Sequence, residues 1–240
     1  MNKHPLHRPA PFISFIAAIL IVLEFVCLTG CGGESSSDEA ASNTPVKTKP
    51  IRGTIVAMGD SLTAGLGVDE TEAYPARLEK KLAAEGYDFK VVNAGVSGET
   101  SSGALSRIDW VISSLKPDLI ILETGANDGL RGIEPDVLRK NLDRIVSAIK
   151  AEDIAVILCG MKMPANLGPV YTQAFIDIYP EIAQKHAILL IPFFLEGVAG
   201  DPRYNQPDRM HPTAEGYRRI VDHIYPYVLT IVKKRKELCK

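Results

Sequence analysis

Five short apolar runs alternate with longer segments of helical period, and this alternation constrains the fold more than any other feature of the chain. The runs cover residues 54–58, 89–93, 118–123, 154–159 and 188–191. Short apolar runs bounded by turn residues are typical of buried strands, whereas apolar side chains spaced three or four apart are typical of helices. Because parallel strands need crossover connections, the alternation predicts an α/β fold of three layers, with helices on both faces of a parallel sheet.

The helical segments predict the remaining elements. They cover residues 72–85, 101–115, 135–150 and 170–186, and a last helix begins at residue 212. Pro180 is expected to bend or interrupt the fourth helix, and Pro226 to interrupt the last one so that its final turns form a separate piece. The obvious strand order is the flavodoxin-like 2-1-3-4-5, which places a functional edge where strands one and three end.

Length and charge restrict the class of protein. The chain has 240 residues, 46% of them hydrophobic, so one domain with one core is expected. The formal net charge of −2 gives no electrostatic case for binding nucleic acid. The four cysteines form no CxxC pair and no histidine cluster accompanies them, which argues against a zinc site. Cys159 is expected to be a buried thiol, and a disulfide with Cys239 stays open.

The first 30 residues have the pattern of an export signal. Lys3 and Arg8 precede an apolar stretch at residues 12–23, and Glu24 ends that stretch before it could span a bilayer. Leu28-Thr29-Gly30-Cys31 follows and resembles the bacterial lipobox, whose cysteine is lipidated. The resemblance implies a lipid anchor at Cys31, and the alternative is an ordinary signal peptide with a chance cysteine.

Residues 31–52 are then expected to be the lipidated N-terminus and a disordered tether, because they are rich in Gly, Ser, Ala, Pro and charge. The tether would reach about 25 Å. Gly32 is no obvious signal for inner-membrane retention, so the expected location is the cell envelope, at the outer membrane facing the periplasm. The globular domain is expected to cover residues 53–240.

Ser61 follows the first apolar run, after the turn residues Gly59 and Asp60. This position is the carboxyl end of a predicted central strand, where ligands bind in open α/β sheets. Ser61 is therefore a candidate nucleophile. The alternative from this stretch alone is that Asp60 and Ser61 simply cap a helix.

Two further strand ends carry candidate hydrogen-bond donors. Gly98 lies in the loop after strand two, and Asn127 lies in the loop after strand three. A glycine lets its backbone N–H group approach a ligand closely, and Asn127 adds a side-chain N–H group. Such donors beside a serine could stabilise the negative charge that develops in acyl transfer. Taken singly, each loop is equally well explained by turn chemistry.

His211 is the candidate base for Ser61. It lies in the loop after strand five, and Asp208 precedes it by three residues, close enough to accept the second imidazole N–H. The other histidines are less suited, since His186 and His223 lie on helical patterns and the remaining two are in the export segment.

These four stretches together resemble the four blocks of the SGNH (GDSL) hydrolases, in order. They read Gly59-Asp60-Ser61-Leu62, Val96-Ser97-Gly98-Glu99-Thr100, Gly125-Ala126-Asn127-Asp128 and Asp208-x-x-His211-Pro212. The resemblance is greatest to the periplasmic group described as arylesterase, acyl-CoA thioesterase I and lysophospholipase, and it covers nearly all of residues 54–225. Typical members of that group are soluble in the periplasm, so the lipobox is a departure that bears on location.

The resemblance implies the roles of the site residues. Ser61 would be the nucleophile of a serine esterase that forms an acyl-enzyme, His211 the base and then the acid, and Asp208 its orienting partner. The oxyanion hole would consist of the Ser61 and Gly98 backbone N–H groups and the Asn127 amide. No metal or organic cofactor is implied, the partner is a small-molecule or lipid acyl ester, and a monomer is expected.

An apolar loop after strand four suggests where an acyl chain would bind. Residues 161–169 include Met163 and Leu167, which are expected to cover a chain beside Ser61, as the resemblance also suggests. The alternative is that these side chains only pack on the domain edge. Leu130 and Phe194 are further candidates for the acyl pocket.

Other functions fit the sequence less well. An α/β-hydrolase needs G-x-S-x-G, and Thr63 occupies its last position. A phosphate-binding loop needs a GK[ST] ending that is absent here. A carbohydrate acetylesterase on the same fold, or a non-catalytic surface lipoprotein, remains as an alternative.

Overall fold

The computed structural model describes residues 53–163 and 165–238. The predictions of a signal peptide, of lipidation at Cys31 and of a tether concern residues 1–52 and lie outside this range, as does Cys239. Among the helices that the structure describes, none combines the length and the apolar character that crossing a membrane requires.

The five strands of the described chain form one parallel sheet, which confirms the predicted fold class. They are β1 (Gly53–Gly59), β2 (Phe89–Gly95), β3 (Leu119–Glu123), β4 (Ala155–Cys159) and β5 (Leu189–Ile191). The strand order is β2-β1-β3-β4-β5, as predicted. All of β3 and the last five residues of β1 are buried, as expected for strands covered by helices on both faces.

Helices on both sides of the sheet complete the three layers. They are α1 (Ser61–Ala64), α2 (Tyr74–Ala84), α3 (Ser101–Leu115), α4 (Ala126–Leu130), α5 (Pro135–Ala151), α6 (Pro169–His186) and α7 (Ala214–Leu238). Helices α3, α5 and α6 pack side by side in one layer, and α2 packs on α7 in the other. The change of layer between α2 and α3 follows from right-handed crossovers, because the chain reverses its direction across the sheet after β2.

The prediction that Pro226 divides the last helix is wrong, and Pro180 does not interrupt the helix that contains it. Helix α6 continues through Pro180, and α7 continues through Pro226 as a single helix. Residues around Pro180, such as Tyr179 and Ile182, are almost fully buried. Burying such side chains stabilises the helix by about 1.5–3 kcal/mol each, which offsets the cost of about 3 kcal/mol for an internal proline.

The last helix begins at Ala214 and not at residue 212, because Pro212 forms an antiparallel bridge with Asn205. The Thr213 hydroxyl then accepts a hydrogen bond from the backbone N–H of Gly216 at 3.2 Å, as a capping side chain does.

Cys159 is a free, fully buried thiol at the end of β4, as predicted. Burial and the nearby carboxyl of Glu123 raise its pKa well above the usual range. Within residues 53–163 and 165–238, no three His, Cys, Asp or Glu side chains are grouped as ligands of a metal ion would be.

Candidate active site

Ser61 is the first residue of α1, at the carboxyl end of the central strand β1. The Asp60 side chain caps this short helix, since its Oδ1 accepts a hydrogen bond from the Leu62 N–H at 2.9 Å. The Ser61 hydroxyl is therefore not needed as a helix cap. Its Oγ lies 2.8 Å from His211 Nε2. The structure thus combines the two interpretations of this stretch: Asp60 caps the helix, and Ser61 faces a candidate base.

The hydrogen-bonded series continues from His211 to Asp208. His211 Nδ1 lies 2.6 Å from Asp208 Oδ2, and Asp208 Oδ1 accepts from the backbone N–H groups of Met210 at 2.9 Å and His211 at 3.0 Å. The hydrogen bond from the His211 side chain, together with these two backbone N–H groups, lowers the pKa of Asp208 to about 2. An ionised Asp208 holds the proton on Nδ1 and leaves the lone pair of Nε2 directed at the Ser61 hydroxyl.

The loop that carries Asp208 and His211 is fastened at its base. The bridge between Asn205 and Pro212 closes the loop, and the Gln206 N–H donates to the His211 carbonyl at 2.8 Å. The Gln206 side-chain amide also donates to the Leu66 carbonyl at 2.7 Å, which ties the loop to the segment after α1. These contacts bring a histidine and a serine 150 positions apart into hydrogen-bond distance.

The three predicted oxyanion groups border the same cavity as this series. Ser61, Gly98 and Asn127 all line it. Gly98 has a φ of +79°, a left-handed conformation that glycine adopts without strain, and Arg131 Nη2 donates to the Gly98 carbonyl at 2.8 Å. A side chain at position 98 would disfavour this left-handed backbone conformation and therefore this orientation of the Gly98 peptide.

The Asn127 amide already has acceptors for its N–H groups. Asn127 Nδ2 donates to Asp60 Oδ2 and to the Glu99 carbonyl, each at 3.0 Å. A substrate oxygen at this site would share one of these N–H groups or replace one of these acceptors. The same two bonds fix the amide in place before a substrate arrives, and such preorganisation is what a charge-stabilising donor needs.

Buried polar contacts hold the two donor loops together, and sequence reasoning missed them. Asp128 accepts hydrogen bonds from the Ser101 backbone N–H at 2.7 Å and from the Ser101 hydroxyl at 2.5 Å, so α4 is joined to the start of α3. Arg107 forms a largely buried ion pair with Glu99 at 2.7 Å and donates to the Ala94 carbonyl at 2.8 Å. The position of Asp128 directly after Asn127 was the only signal for these contacts in the sequence.

A second carboxyl group lies beneath the serine turn. Glu123, the last residue of β3, is fully buried, and its Oε2 accepts from the Thr63 hydroxyl at 2.9 Å and from the Asp60 N–H at 3.3 Å. Its Oε1 has no hydrogen-bond partner within the described part of the chain. Burial, followed by the neighbouring carboxyl of Asp60, raises the pKa of Glu123 well above its ordinary value.

Burial raises the pKa of Asp60 as well, but the hydrogen bonds from Leu62 and Asn127 oppose that effect. The upward shift of the pKa is therefore the larger one at Glu123, and Asp60 accepts a hydrogen bond from the Asn127 amide. The sequence signal for this arrangement was a glutamate at the end of an otherwise apolar strand.

The cavity beside Ser61 has a volume of about 390 Å³ and a largely apolar wall. Met163 and Leu130, two of the predicted acyl-binding residues, line it. Met163 lies against Gly129, where an added Cβ atom would come within 2.1 Å of its sulfur. Gly129 therefore makes room for the thioether that forms part of the wall.

The other two predicted acyl-binding residues do not line this cavity. Phe194 is fully buried, with its ring centroid 5.2 Å from that of Tyr74, and the preceding Phe193 lines the cavity in its place. Leu167 borders a separate surface groove together with Tyr171. Which of two adjacent phenylalanines faces inward depends on how the chain leaves β5, and the apolar pattern does not encode that.

The sequence matches a protein family over most of its length. The sequence model of the GDSL-like Lipase/Acylhydrolase family matches residues 57–219, a range that contains Ser61, Asn127, Asp208 and His211. The chain belongs to this family, and the resemblance to SGNH hydrolases is confirmed. It is an ester-hydrolysing enzyme by class.

Individual relatives support the same assignment. The chain is 42% identical over 173 residues to Esterase TesA of Pseudomonas aeruginosa, covering 72% of this chain and 86% of that protein. It is 36% identical over 169 residues to Thioesterase 1/protease 1/lysophospholipase L1 of Escherichia coli K12, covering 70% of this chain and 80% of that protein. The crystal structure of TesA superposes with a TM-score of 0.72 at 40% identity, covering 74% of this chain and 99% of that one.

Proposed function

We propose that the chain is a serine esterase that cleaves acyl esters through an acyl-Ser61 intermediate. The observation that carries this proposal is the series of short hydrogen bonds from Ser61 Oγ to His211 Nε2, at 2.8 Å, and from His211 Nδ1 to Asp208 Oδ2, at 2.6 Å. A serine hydroxyl is a weak nucleophile until a base within hydrogen-bond reach accepts its proton.

In the acylation step, Ser61 Oγ attacks the carbonyl carbon of the ester while its proton moves to His211 Nε2. The resulting imidazolium is stabilised by the ionised Asp208. Negative charge develops on the former carbonyl oxygen, and we assign its stabilisation to the backbone N–H groups of Ser61 and Gly98 and the amide of Asn127, three residues that line the cavity. His211 then gives its proton to the leaving alcohol or thiol as the carbon–oxygen or carbon–sulfur bond breaks.

In the deacylation step, water attacks the acyl-Ser61 ester. His211 Nε2 takes a proton from that water and returns it to Ser61 Oγ when the tetrahedral intermediate collapses. The acid leaves and the starting state is restored. Every proton in the cycle moves through one imidazole nitrogen, which the Asp208 hydrogen bond holds in place.

The cavity wall favours acyl chains as the recognised group. Met161, Met163 and Leu195 lie on it with Phe193, and none of them offers a hydrogen bond that would bind a sugar hydroxyl. Aryl esters, lysophospholipids and acyl thioesters such as acyl-CoA are therefore the proposed substrates, in line with the names of the relatives.

The test is to compare Ser61→Ala with Ser113→Ala, an exposed serine on α3. We expect Ser61→Ala to abolish labelling by a fluorophosphonate and turnover of p-nitrophenyl esters, acyl-CoA and lysophospholipid. Ser113→Ala should retain both. Full turnover by folded Ser61→Ala protein would refute the proposed nucleophile.

We also propose that Cys31 is lipidated and holds the enzyme in the cell envelope, at the outer membrane facing the periplasm, as a monomer. The support for the anchor is the basic, apolar and lipobox pattern of residues 1–31. One chain supplies Ser61, His211 and Asp208, so the proposed chemistry needs no second copy. Cys31→Ser should move the protein from the membrane fraction to the soluble fraction, and an unchanged distribution would refute lipidation as the anchor.

A further inference from the structure

Exposed apolar side chains gather at the mouth of the catalytic cavity. In the described residues, seven large apolar side chains are exposed. Three of them, Leu66, Leu130 and Met210, line the cavity while remaining 47%, 53% and 49% exposed. A fourth, Val96, is 46% exposed and directly precedes Ser97, which also lines the cavity. These four residues are called the apolar rim below.

Isolated exposed apolar residues are ordinary on protein surfaces, but a group around one opening is not. The cavity behind the rim is lined by further apolar side chains, among them Phe193 and Leu195, so apolar groups lie both on the wall and at the opening. Such a surface favours contact with an apolar phase over contact with water.

Positive charge accompanies the rim. Lys162 and Arg209 are exposed residues that line the cavity, and the exposed Arg131 donates to the carbonyl of Gly98. Two carboxylates lie nearby: Asp208 binds His211, and Glu196 lies 3.8 Å from the Lys162 ammonium. The three cations outnumber these two carboxylates, so the mouth carries a small positive excess in a chain whose formal net charge is −2.

We propose that this mouth is a docking surface for a bilayer that contains anionic phospholipid. Apolar side chains that enter the acyl region, together with cations that contact lipid headgroups, are the combination that interfacial binding needs. The docked enzyme would take acyl chains directly from the bilayer into the cavity. That consequence rests on the proposed ester hydrolysis, whereas the docking itself does not.

Each of the three cations at the mouth, Lys162, Arg209 and Arg131, is expected to strengthen vesicle binding about fivefold. This is the usual effect of one lysine or arginine near an anionic membrane surface. Binding should also weaken with salt, since the surface potential is screened within a Debye length of about 10 Å in ~0.1 M salt. An apolar contact alone would not show this salt dependence.

The test uses the globular domain, residues 53–240, which lacks both Cys31 and the apolar segment at residues 12–23. This part is expected to fold by itself. The crystallised TesA chain matches 74% of this chain over 99% of its own length, so TesA folds without a counterpart to the remainder. Sedimentation with vesicles of phosphatidylcholine and phosphatidylglycerol measures binding independently of turnover. Ser61→Ala protein should bind as well as wild type, which separates a failure of docking from a failure of the proposed chemistry.

Substitution at the rim is compared with substitution elsewhere. Val96→Asp combined with Met210→Asp should lower vesicle binding at least tenfold. Val170→Asp is the matched control, because Val170 is 83% exposed in the first turn of α6 and does not line the cavity. Circular dichroism and cooperative urea unfolding show that each variant is folded.

The single tryptophan of the chain provides a geometric test. Trp110 is 59% exposed on α3 and does not line the cavity. Brominated acyl chains should quench an indole introduced by Val96→Trp in a Trp110→Phe background, and should leave Trp110 of the wild type unquenched.

Several results would overturn the proposal. They are no sedimentation with anionic vesicles at low salt, equal binding by the rim variant and wild type, an equal loss in Val170→Asp, or quenching of Trp110 in place of the introduced indole. A dimer in light scattering that Val96→Asp with Met210→Asp dissociates would also overturn it, since the rim would then cover a second copy of the chain.

Discussion

Replacing Glu123 by glutamine should stabilise the domain at neutral pH, even though the side chain is fully buried beneath the catalytic serine. One oxygen of the carboxyl group accepts from the Thr63 hydroxyl and the Asp60 N–H, and burial together with the nearby Asp60 carboxyl raises its pKa. Glutamine keeps a carbonyl acceptor for both donors. It removes only the ionisable proton.

The sign of the effect follows from the direction of the pKa shift. The folded pKa of Glu123 lies well above the ordinary value of 4.5. Above pH 4.5 the unfolded chain releases this proton while the native pair retains it, so the free energy of unfolding of the wild type falls as pH rises towards the folded pKa. The slope is at most about 1.4 kcal/mol per pH unit. Glu123→Gln lacks this slope, so its advantage should grow with pH and vanish below pH 4.5.

Urea unfolding of both proteins between pH 4 and about 8 measures the difference, and a change in midpoint with a constant m-value indicates stability alone. Glu152→Gln, on an exposed glutamate after α5, is the control and should retain the wild-type pH dependence. Glu123→Leu should lose about 2–6 kcal/mol, because it leaves two buried donors without an acceptor at about 1–3 kcal/mol each. Parallel wild-type and Glu123→Gln curves would show that Glu123 is ionised in the native state, and the reasoning would fail.

Three further predictions concern catalysis. Asn127→Ala should lower kcat about 10²–10³-fold with little change in KM, because its hydrogen bond strengthens in the transition state; a steady-state change confined to KM would contradict this. Asp208→Asn should lower kcat at neutral pH by up to about 10⁴-fold, because the amide no longer holds the required tautomer of His211; kinetics near wild type would contradict that role. In the wild type, each buried methylene of the substrate should raise kcat/KM about fourfold. Leu130→Ser should flatten this dependence on acyl length, whereas Leu167→Gly should leave it unchanged. Parallel profiles for wild type and Leu130→Ser would place the acyl chain elsewhere.

Much of the fold follows from local patterns. The short apolar runs and the helical periods are properties of neighbouring residues, so the strand order and the three layers could be predicted with strand ends within about two residues. The continuity of α6 through Pro180 could not, because it depends on what Tyr179 and Ile182 pack against. An internal proline is unfavourable in an isolated helix, and only the tertiary core offsets its cost.

The candidate site divides in the same way. Ser61, Asp208 and His211 could be predicted because the carboxyl ends of all parallel strands lie at one edge of the sheet. Phe194 was assigned to the pocket although Phe193 occupies that position, since the direction in which the chain turns after β5 sets which ring faces the cavity. Leu167 was misplaced because a loop's apolar character does not state which surface it covers.

The amino-acid sequence by itself determined the α/β class, the strand order and the chemical groups available at the sheet edge, because these depend on periodicity and on rules of connection. Only the tertiary structure decided the environment of each group. It placed Glu123 and Asp60 side by side in a buried site that raises the pKa of both carboxyl groups, and it closed the loop of Asp208 and His211 onto Ser61. Hydrogen-bond distances and desolvation arise from residues far apart in the chain, and no local pattern carries them.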